Sequence, residues 1–454
     1  MAPAWQFGCT PVLTTGEPIT FVDLFAGLGG FHVALEQLGA TCVFAAEWEP
    51  DLQDLYERNF GLRPVGDLTK VDSDSIPAHT ILCAGFPCQP FSKAGDQLGF
   101  EHTKQGQLFF KVLEILAARK PKCFILENVP NILNHNDGET LKTIKNRLAR
   151  IGYAVDVKRY SPHEFGIPQI RDRAYFIGSL EGLDSYTWPA TSRSKTDITS
   201  VLDRDATADR PIPAQTLRAI DMWNDFLRRS PDALKMPSFP IWSMEFRATY
   251  PYVDATPPAL WDEKGPRELD EFLGSFGLEL RGLSRQAQYS GLPSHSRRAG
   301  DYSFPHWKQT FIRQNREFYQ ANRAWIDPWL DEWKPWTFPS SFQKFEWNAQ
   351  GEERDIDRFV LQVRASGIRV KRTTTAPSLI AMTHTQVPIL GKKLAGVRRY
   401  MTPRECARLQ SLGQLALPET DLKAYQALGN AVNAQVVGRV VAPLLAAIDE
   451  GKTR

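Results

Sequence analysis

No CxxC pair occurs among the six cysteines (Cys9, Cys42, Cys83, Cys88, Cys123 and Cys406), and no histidine cluster has zinc spacing. That excludes a disulfide framework and a structural metal. No apolar run approaches the roughly 20 residues of a membrane helix. The first twenty residues lack the basic start and apolar stretch of a secretory signal, so the expected location is cytoplasmic. The formal net charge is only +2, so composition alone does not announce a nucleic-acid partner, and any such signal must be local. At 454 residues the chain has room for two or three domains.

What is present begins at Phe21. Phe21–Ala26 reads as a strand, followed by Gly27-Leu28-Gly29-Gly30 and then Phe31, Ala34, Leu35 and Leu38 at helical spacing, with Gly39 as a C-cap. Strand, glycine-rich turn and helix form half of a βαβ unit, and the glycines let backbone approach a ligand at the helix N-terminus. A second strand, Thr41–Ala46, ends in Glu47-Trp48-Glu49. Glu47 lies twenty positions after Gly27, close to where an acid that binds ribose hydroxyls is expected. Trp48 is placed to stack on an adenine, and Asp67, after a helix over Asp51–Phe60, to accept from its amino group. The glycine spacing departs from the dinucleotide pattern GxGxxG, which favours a nucleoside cofactor without a pyrophosphate. The bland alternative is a solvated acid beside an ordinary turn.

The apolar Ile81–Ala84 leads into Gly85-Phe86-Pro87-Cys88-Gln89-Pro90-Phe91-Ser92. A strand broken by Gly and two Pro holds one thiol at its carboxyl end, where open parallel sheets bind ligands. Free Cys is usually buried and inert, so this stretch alone leaves a reactive and a structural thiol equally open. The polar Ser92–Gly106 reads as a mobile flap, and Leu108–Leu116 as an amphipathic helix. Cys123–Leu126 is another buried strand, ending in Glu127-Asn128-Val129-Pro130. A carboxylate there is costly unless it faces a cleft or a partner. If this strand neighbours the one before Cys88, thiol and carboxylate share a cleft. A helix (Thr140–Ile151) and strand (Tyr153–Val157) follow. In the next strand-like segment Gln169, Arg171 and Arg173 alternate onto one face, for which a solvated edge is the simplest reading.

Repeated strand–helix alternation to about residue 180 predicts a doubly wound α/β domain. Residues 190–370 read as irregular and rich in Pro and aromatics, with Trp at 223, 242, 261, 307, 325, 329, 333, 336 and 347. Most of these Trp fit a small core, the Trp325–Trp336 cluster above all. Interleaved Arg228, Arg229, Arg297, Arg298, Lys308, Arg313, Arg316 and Arg323 suit phosphate contacts, as do Arg364, Arg369, Lys371 and Arg372 before Thr373–Thr375. Order returns with Thr402 as an N-cap, Pro403 at the first helical position and Glu405 completing a capping box. Ala427–Val432 and an apolar helix over Val436–Ile448 follow, the latter expected to pack back onto a core.

Six blocks, in this order, resemble the DNA (cytosine-5)-methyltransferases of bacterial restriction–modification systems. They are Asp23–Gly30, Gly85–Gln89, Glu127–Val129, Gln169 with Arg171 and Arg173, Thr402–Gln410, and Gly429–Val432. The resemblance implies a fold and a chemistry. The fold would be a doubly wound, mixed-sheet α/β domain of the S-adenosylmethionine-dependent, Rossmann-like type, with a second, irregular target-recognition domain across a basic cleft. Residues 1–190 with 425–454 would form the catalytic domain, and 191–424 the recognition domain with its hinge. Cys88 would be the nucleophile on carbon 6 of a flipped cytosine. Glu127 would contact ring nitrogen 3 and the amine, Arg173 the carbonyl oxygen, and Arg171 would support the site. Phe25, Gly27, Gly29, Gly30, Glu47, Trp48, Asp67, Leu68, Pro87 and Asn430 would bind S-adenosyl-L-methionine. The family's Arg-Gly pair in the flap is replaced here by Lys104-Gln105-Gly106.

The expected activity is methyl transfer to carbon 5 of cytosine in a specific double-stranded DNA site. The enzyme would be a stand-alone, monomeric cytoplasmic bacterial protein, brought to the nucleoid by its DNA and paired with a restriction endonuclease. An RNA cytosine-5 methyltransferase and a catalytically silent DNA-binding relative are the alternatives.

Overall fold

A computed structural model describes residues 18–86, 104–192, 194–203, 206, 210–263, 266–297, 303–379 and 386–451. Two compact units emerge, and the chain crosses between them several times. The first holds residues up to Asp203 together with Thr374–His384 and Thr402–Arg454; the second holds Arg204–Thr373 and Thr385–Met401. This differs from the expected division, because 191–203, 374–384 and 402–424 join the first unit. The reason is visible at residue 405. The Glu405 carboxylate accepts from the Asp203 backbone N–H at 2.8 Å, and Arg408 pairs with Asp203 at 2.7 Å, so both ends of the excursion are tied together.

The first run alternates as the apolar pattern demands: β1 (Thr20–Leu24), α1 (Gly30–Glu36), β2 (Thr41–Ala46), α2 (Pro50–Phe60), β3 (Ile81–Ala84), α3 (Lys104–Arg119), β4 (Cys123–Asn128), α4 (Glu139–Ile151), β5 (Ala154–Tyr160), β6 (Gln169–Ile170) and β7 (Arg173–Ser179). Because α3 begins at Lys104, the polar stretch expected to run to Gly106 ends inside a helix. The main sheet has the order β2-β1-β3-β4-β7-β5, parallel through β4, with β7 antiparallel to both neighbours. The near-continuous apolar runs of β3 and β4 reflect burial on both faces. One layer beneath the sheet packs Phe109, Val112 and Leu116 of α3 with Ile144 and Leu148 of α4 against Leu82, Phe124 and Phe176.

The second run is more ordered than its composition suggests, which corrects the irregular reading. It contains α5 (Ala214–Arg229), β8 (Ile241–Trp242), α6 (Pro257–Glu263), α7 (Arg285–Gly291), α8 (His306–Trp333), β9 (Lys344–Asn348), β10 (Val360–Arg364) and β11 (Gly367–Lys371). After β12 (Ala376–Pro377), which pairs with β6 in the first unit, come β13 (Ile389–Leu390), α9 (Lys392–Ala395) and β14 (Arg399–Tyr400). The second unit's sheet runs β14-β13-β10-β11-β9-β8. Pro328 hides the 28-residue α8 from a pattern search, and helical geometry lapses at Asn322 (φ −127°). The Trp-rich core expected here is present: Trp223 stacks on Phe345, and Phe226 meets Trp325 and Trp329 edge-on or tilted. Trp307 and Trp336 are exposed instead.

The chain closes in the first unit with α10 (Pro403–Leu409), α11 (Asp421–Asn430) and α12 (Ala434–Gly451). The capping box forms as expected: Thr402 accepts from the Glu405 N–H, and Glu405 accepts from the Thr402 N–H at 2.8 Å. The apolar face of α12, including Val437, Val441 and Leu444, is buried, and the helix packs on α1. Among the described residues no helix is long and apolar enough to cross a membrane. Thr402→Ala should lower stability by about 1 kcal/mol, measured as a shifted urea midpoint at unchanged slope. An unchanged midpoint would remove the cap from the account of this helix.

Candidate active site

Strand order locates the site. The chain winds from β1 outward to β2, then returns to place β3 on the other side of β1, so the switch point lies between β1 and β3. Ligands bind beyond the carboxyl ends of the strands at such a point. There a cavity of about 640 Å³ is lined by Phe25, Gly27, Gly30, Glu47, Trp48, Asp67, Leu68, Glu127, Arg171, Arg173 and Asn430. These are the expected residues, drawn together from segments far apart in sequence. Gly29 does not line the cavity and shapes the turn instead. Pro87 and Cys88 lie outside the described residues, as does the polar stretch that follows them up to residue 103.

At the ends of β1 and β2 the local backbone is fixed by Glu47. Its two carboxylate oxygens accept from the N–H groups of Gly27 (2.8 Å) and Glu49 (2.9 Å), so it clasps the ends of β1 and β2 together. Burial pushes the Glu47 carboxyl up, opposed by these hydrogen bonds. Phe25 sits at φ 59°, an uncommon conformation for a non-glycine residue, and turns the chain out of β1. Gly29 (φ 80°) passes so close to Tyr56 and Phe60 that a Cβ would lie 2.4 Å from the Phe60 ring. A Cβ on Gly30 would lie 2.4 Å from the Val432 carbonyl oxygen, so only glycine lets the C-terminal segment close on the turn. Trp48 is 73% exposed at the rim. Asp67 arrives because Val65 bridges to Ala46, and its Oδ1 is engaged by Thr69 in capping a short turn. That cap holds its carboxyl below the usual range. Oδ2 lies 3.7 Å from the exposed Lys70 ammonium.

The other half of the cavity is built on β4. Glu127 stands at its end, buried, with Oε1 2.8 Å from Arg173 Nε. Burial pushes the Glu127 carboxyl upward, against the pull of Arg173 and Arg171. A carboxyl poised this way takes or gives a proton readily. β3 and β4 are paired in parallel, Ala84 opposite Leu126, and the Asn128 side chain donates to the Phe86 carbonyl at 3.0 Å. The condition that these two strands be neighbours is therefore met up to Phe86. The described cysteines Cys42, Cys83, Cys123 and Cys406 are free thiols whose pKa burial raises, Cys42 to about 12, the opposite of an activated nucleophile.

A solvated edge for the two arginines is overturned. The segment is not one strand: β6 ends at Ile170 and pairs with β12, and β7 starts at Arg173. Arg171 is buried between them. Its Nη1 donates to Ser378 Oγ and the Leu379 carbonyl, and its Nη2 to the carbonyls of Gly429 (2.8 Å) and Ala431 (2.9 Å). Gln169 is also buried, accepting from Gln410 at 2.8 Å.

Sequence reasoning missed the support behind the glycine turn. Asp23 is fully buried in β1 and accepts from Tyr56 Oη (3.3 Å), which lies 2.7 Å from His32 Nδ1. An acid inside the apolar run Phe21–Phe25 was the available signal. Burial pushes Asp23 well above the usual carboxylate range and pulls His32 down to about 4.

This arrangement is a Rossmann-like methyltransferase domain with one cavity at the carboxyl ends of its strands. Residues 19–445 match the family of C-5 cytosine-specific DNA methylases, and the chain belongs to that family. The Type II methyltransferase M.AluI of Cellulosimicrobium cellulans is 31% identical over 93% of this chain and 91% of its own length. M.HhaI of Haemophilus parahaemolyticus is 48% identical over 35% of this chain, and M.MspI of Moraxella sp 44% identical over 41%. The chain spans about half the length of these last two, 48% and 45%. Among solved structures, a methyltransferase of Entamoeba histolytica has a TM-score of 0.49 at 15% identity, covering 95% of this chain and 99% of that one.

Because Asp23 is raised above its unfolded value, the native state keeps a proton that the unfolded chain has released, so stability falls as pH rises past the ordinary carboxylate range. Asp23→Asn removes that dependence. The melting temperature of the variant minus that of the native protein should therefore increase from about pH 5 to about pH 8. A difference that stays constant would show Asp23 to be ionised in the fold.

Proposed function

We propose that this protein transfers a methyl group from S-adenosyl-L-methionine to carbon 5 of a cytosine within a specific double-stranded DNA site. The observation that carries the reading is the convergence, in one cavity, of the Glu47-clasped glycine turn and the Glu127–Arg173 pair at the ends of β1–β4. Glu47 would take the ribose hydroxyls, Trp48 the adenine face, and Asp67 with Leu68 the adenine edge. Gly27, Gly30 and Asn430 would line the rest of the donor, with Pro87 beyond Phe86. When bound, the cofactor supplies an electrophilic methyl group on a sulfonium.

The chain's own residues would do the remaining work. Cys88, two residues beyond Phe86, would add as thiolate to carbon 6 and make carbon 5 nucleophilic. Glu127 would hold ring nitrogen 3 and the exocyclic amine, sharing a proton as charge develops on the ring. Arg173 would move from the carboxylate toward the cytosine carbonyl oxygen. Once carbon 5 has taken the methyl group, loss of its proton to water would restore the ring double bond and expel the thiolate. Those ring carbons are out of reach in a stacked duplex, so the base must be extruded. Protection of DNA against a cognate endonuclease is the matching biological role, with the second unit choosing the site.

Incubation with tritiated cofactor and mixed-sequence duplex DNA should yield labelled 5-methylcytosine; label only on exocyclic nitrogen would sink the proposed chemistry. Cys88→Ala should abolish transfer while cofactor binding persists, and retained transfer would reject Cys88 as the nucleophile. Glu127→Gln should lower the rate by roughly 10²–10⁴-fold, read in single-turnover assays.

A further inference from the structure

Several cations singled out in the sequence for phosphate contact are engaged within the second unit. Arg229 pairs with Asp225 and Glu332, Arg316 with the buried Glu245, Arg323 with Asp327, and Arg372 with Glu352. Arg297 donates to the carbonyls of Leu292 and Ser290. Three cations without such a partner lie together on one face of the second unit's sheet.

Register defines that face. Gln362 of β10 stands opposite Arg369 of β11, Arg364 opposite Gly367, and Val360 opposite Lys371, so Gln362, Arg364, Arg369 and Lys371 share one side. In β9, Glu346 stands beside Arg369, and Lys344 lies two residues away on the same side. The other side carries Phe345, Trp347, Leu361, Ile368 and Val370, all buried, and is covered by the aromatic core. Glu346 answers Arg369 with two hydrogen bonds, 2.6 and 3.0 Å. Among the described residues no carboxylate forms an ion pair with Lys344, Arg364 or Lys371. Arg364 Nε and Gln362 Oε1 are buried without a hydrogen-bond partner. Buried polar groups are normally paired, so the orphaned Arg364 N–H donor among half-buried cations marks a missing acceptor. Burial pulls Lys344, Arg364 and Lys371 below their ordinary pKa, and like-charged neighbours add to the pull at Arg364 and Lys371, opposed at Arg364 by Glu346.

We propose that this sheet face is where the second unit takes the sugar–phosphate backbone of duplex DNA, with Lys344, Arg364 and Lys371 as the phosphate partners. The inference rests on the DNA reading above and names the surface that serves it. Phosphate oxygens supply an acceptor for the unpaired Arg364 Nε–H and negative charge beyond the single Glu346 carboxylate that Arg369 already engages. Arg369, held by Glu346, stays within the sheet.

The test is the salt dependence of binding between the full-length protein and a short fluorescent duplex, followed by anisotropy across a potassium chloride series. Removing one phosphate-binding cation should reduce the slope of log affinity against log salt by about 0.9, so Arg364→Gln with Lys371→Gln should reduce it by about 1.8. Arg364→Lys should keep the native slope, as should Arg313→Gln, whose side chain pairs with Glu317 on α8. A melting temperature at or above the native value would show that the double variant is folded. A folded double variant with native slope overturns the proposal, as does transfer RNA displacing the duplex at lower concentration than unlabelled duplex. If the native protein labels 5-methylcytosine while the double variant keeps its slope, this inference alone falls. If the slope drops but the native protein makes no 5-methylcytosine, the surface stands and the proposed reaction falls.

Discussion

The Arg171 guanidinium holds the first unit in one piece. The chain leaves this unit after Asp203 and returns twice, and Arg171 meets both returns: Ser378 and Leu379 from one, Gly429 and Ala431 from the other. No neutral side chain could replace it, because four acceptors from two segments distant in sequence converge on a single planar fork. Burial of the charge is costly by itself. Here the carbonyl dipoles and the nearby Glu127 offset that cost, and the result places Arg173, two residues on, against Glu127. The buried arginine and the arginine that pairs with Glu127 are therefore products of one short segment, fixed by the break between β6 and β7.

The same logic applies around the glycine turn. Gly30 must lack a side chain because Val432 needs its space, and Gly29 because Phe60 and Tyr56 do. Tyr56 in turn connects to Asp23 and His32. A substitution anywhere in this chain of contacts reaches the cavity wall at the glycine turn. That is a packed interior transmitting displacement, as close-packed cores do.

The first unit was legible because its signals are local. Four apolar runs bounded by turns gave the parallel strands, and Glu47 and Glu127 stood out as acids at strand ends. Thr402, Pro403 and Glu405 announced a helix start that the backbone forms. What escaped was non-local. Nothing near Arg171 in sequence names Ser378 or Gly429, so a buried staple looked like a solvated edge. The second unit was harder to read for a different reason: β8, β13 and β14 have two residues each, too short for period-two alternation to register. Charge misled there as well, since Arg229, Arg316 and Arg372 are answered by acids distant in sequence or on a neighbouring turn. Only strand register separated Arg364 and Lys371 from them.

The close approach of Gly30 to Val432 also has a consequence for biosynthesis. One wall of the cavity leaves the ribosome long before the segment that seals it. A nascent chain can pair β1 through β4 early, yet its glycine turn stays open until α11 and α12 emerge. Such long-range closure is slow to form. A chain truncated before residue 429 would thus lack both the seal on the turn and two of the acceptors that orient Arg171.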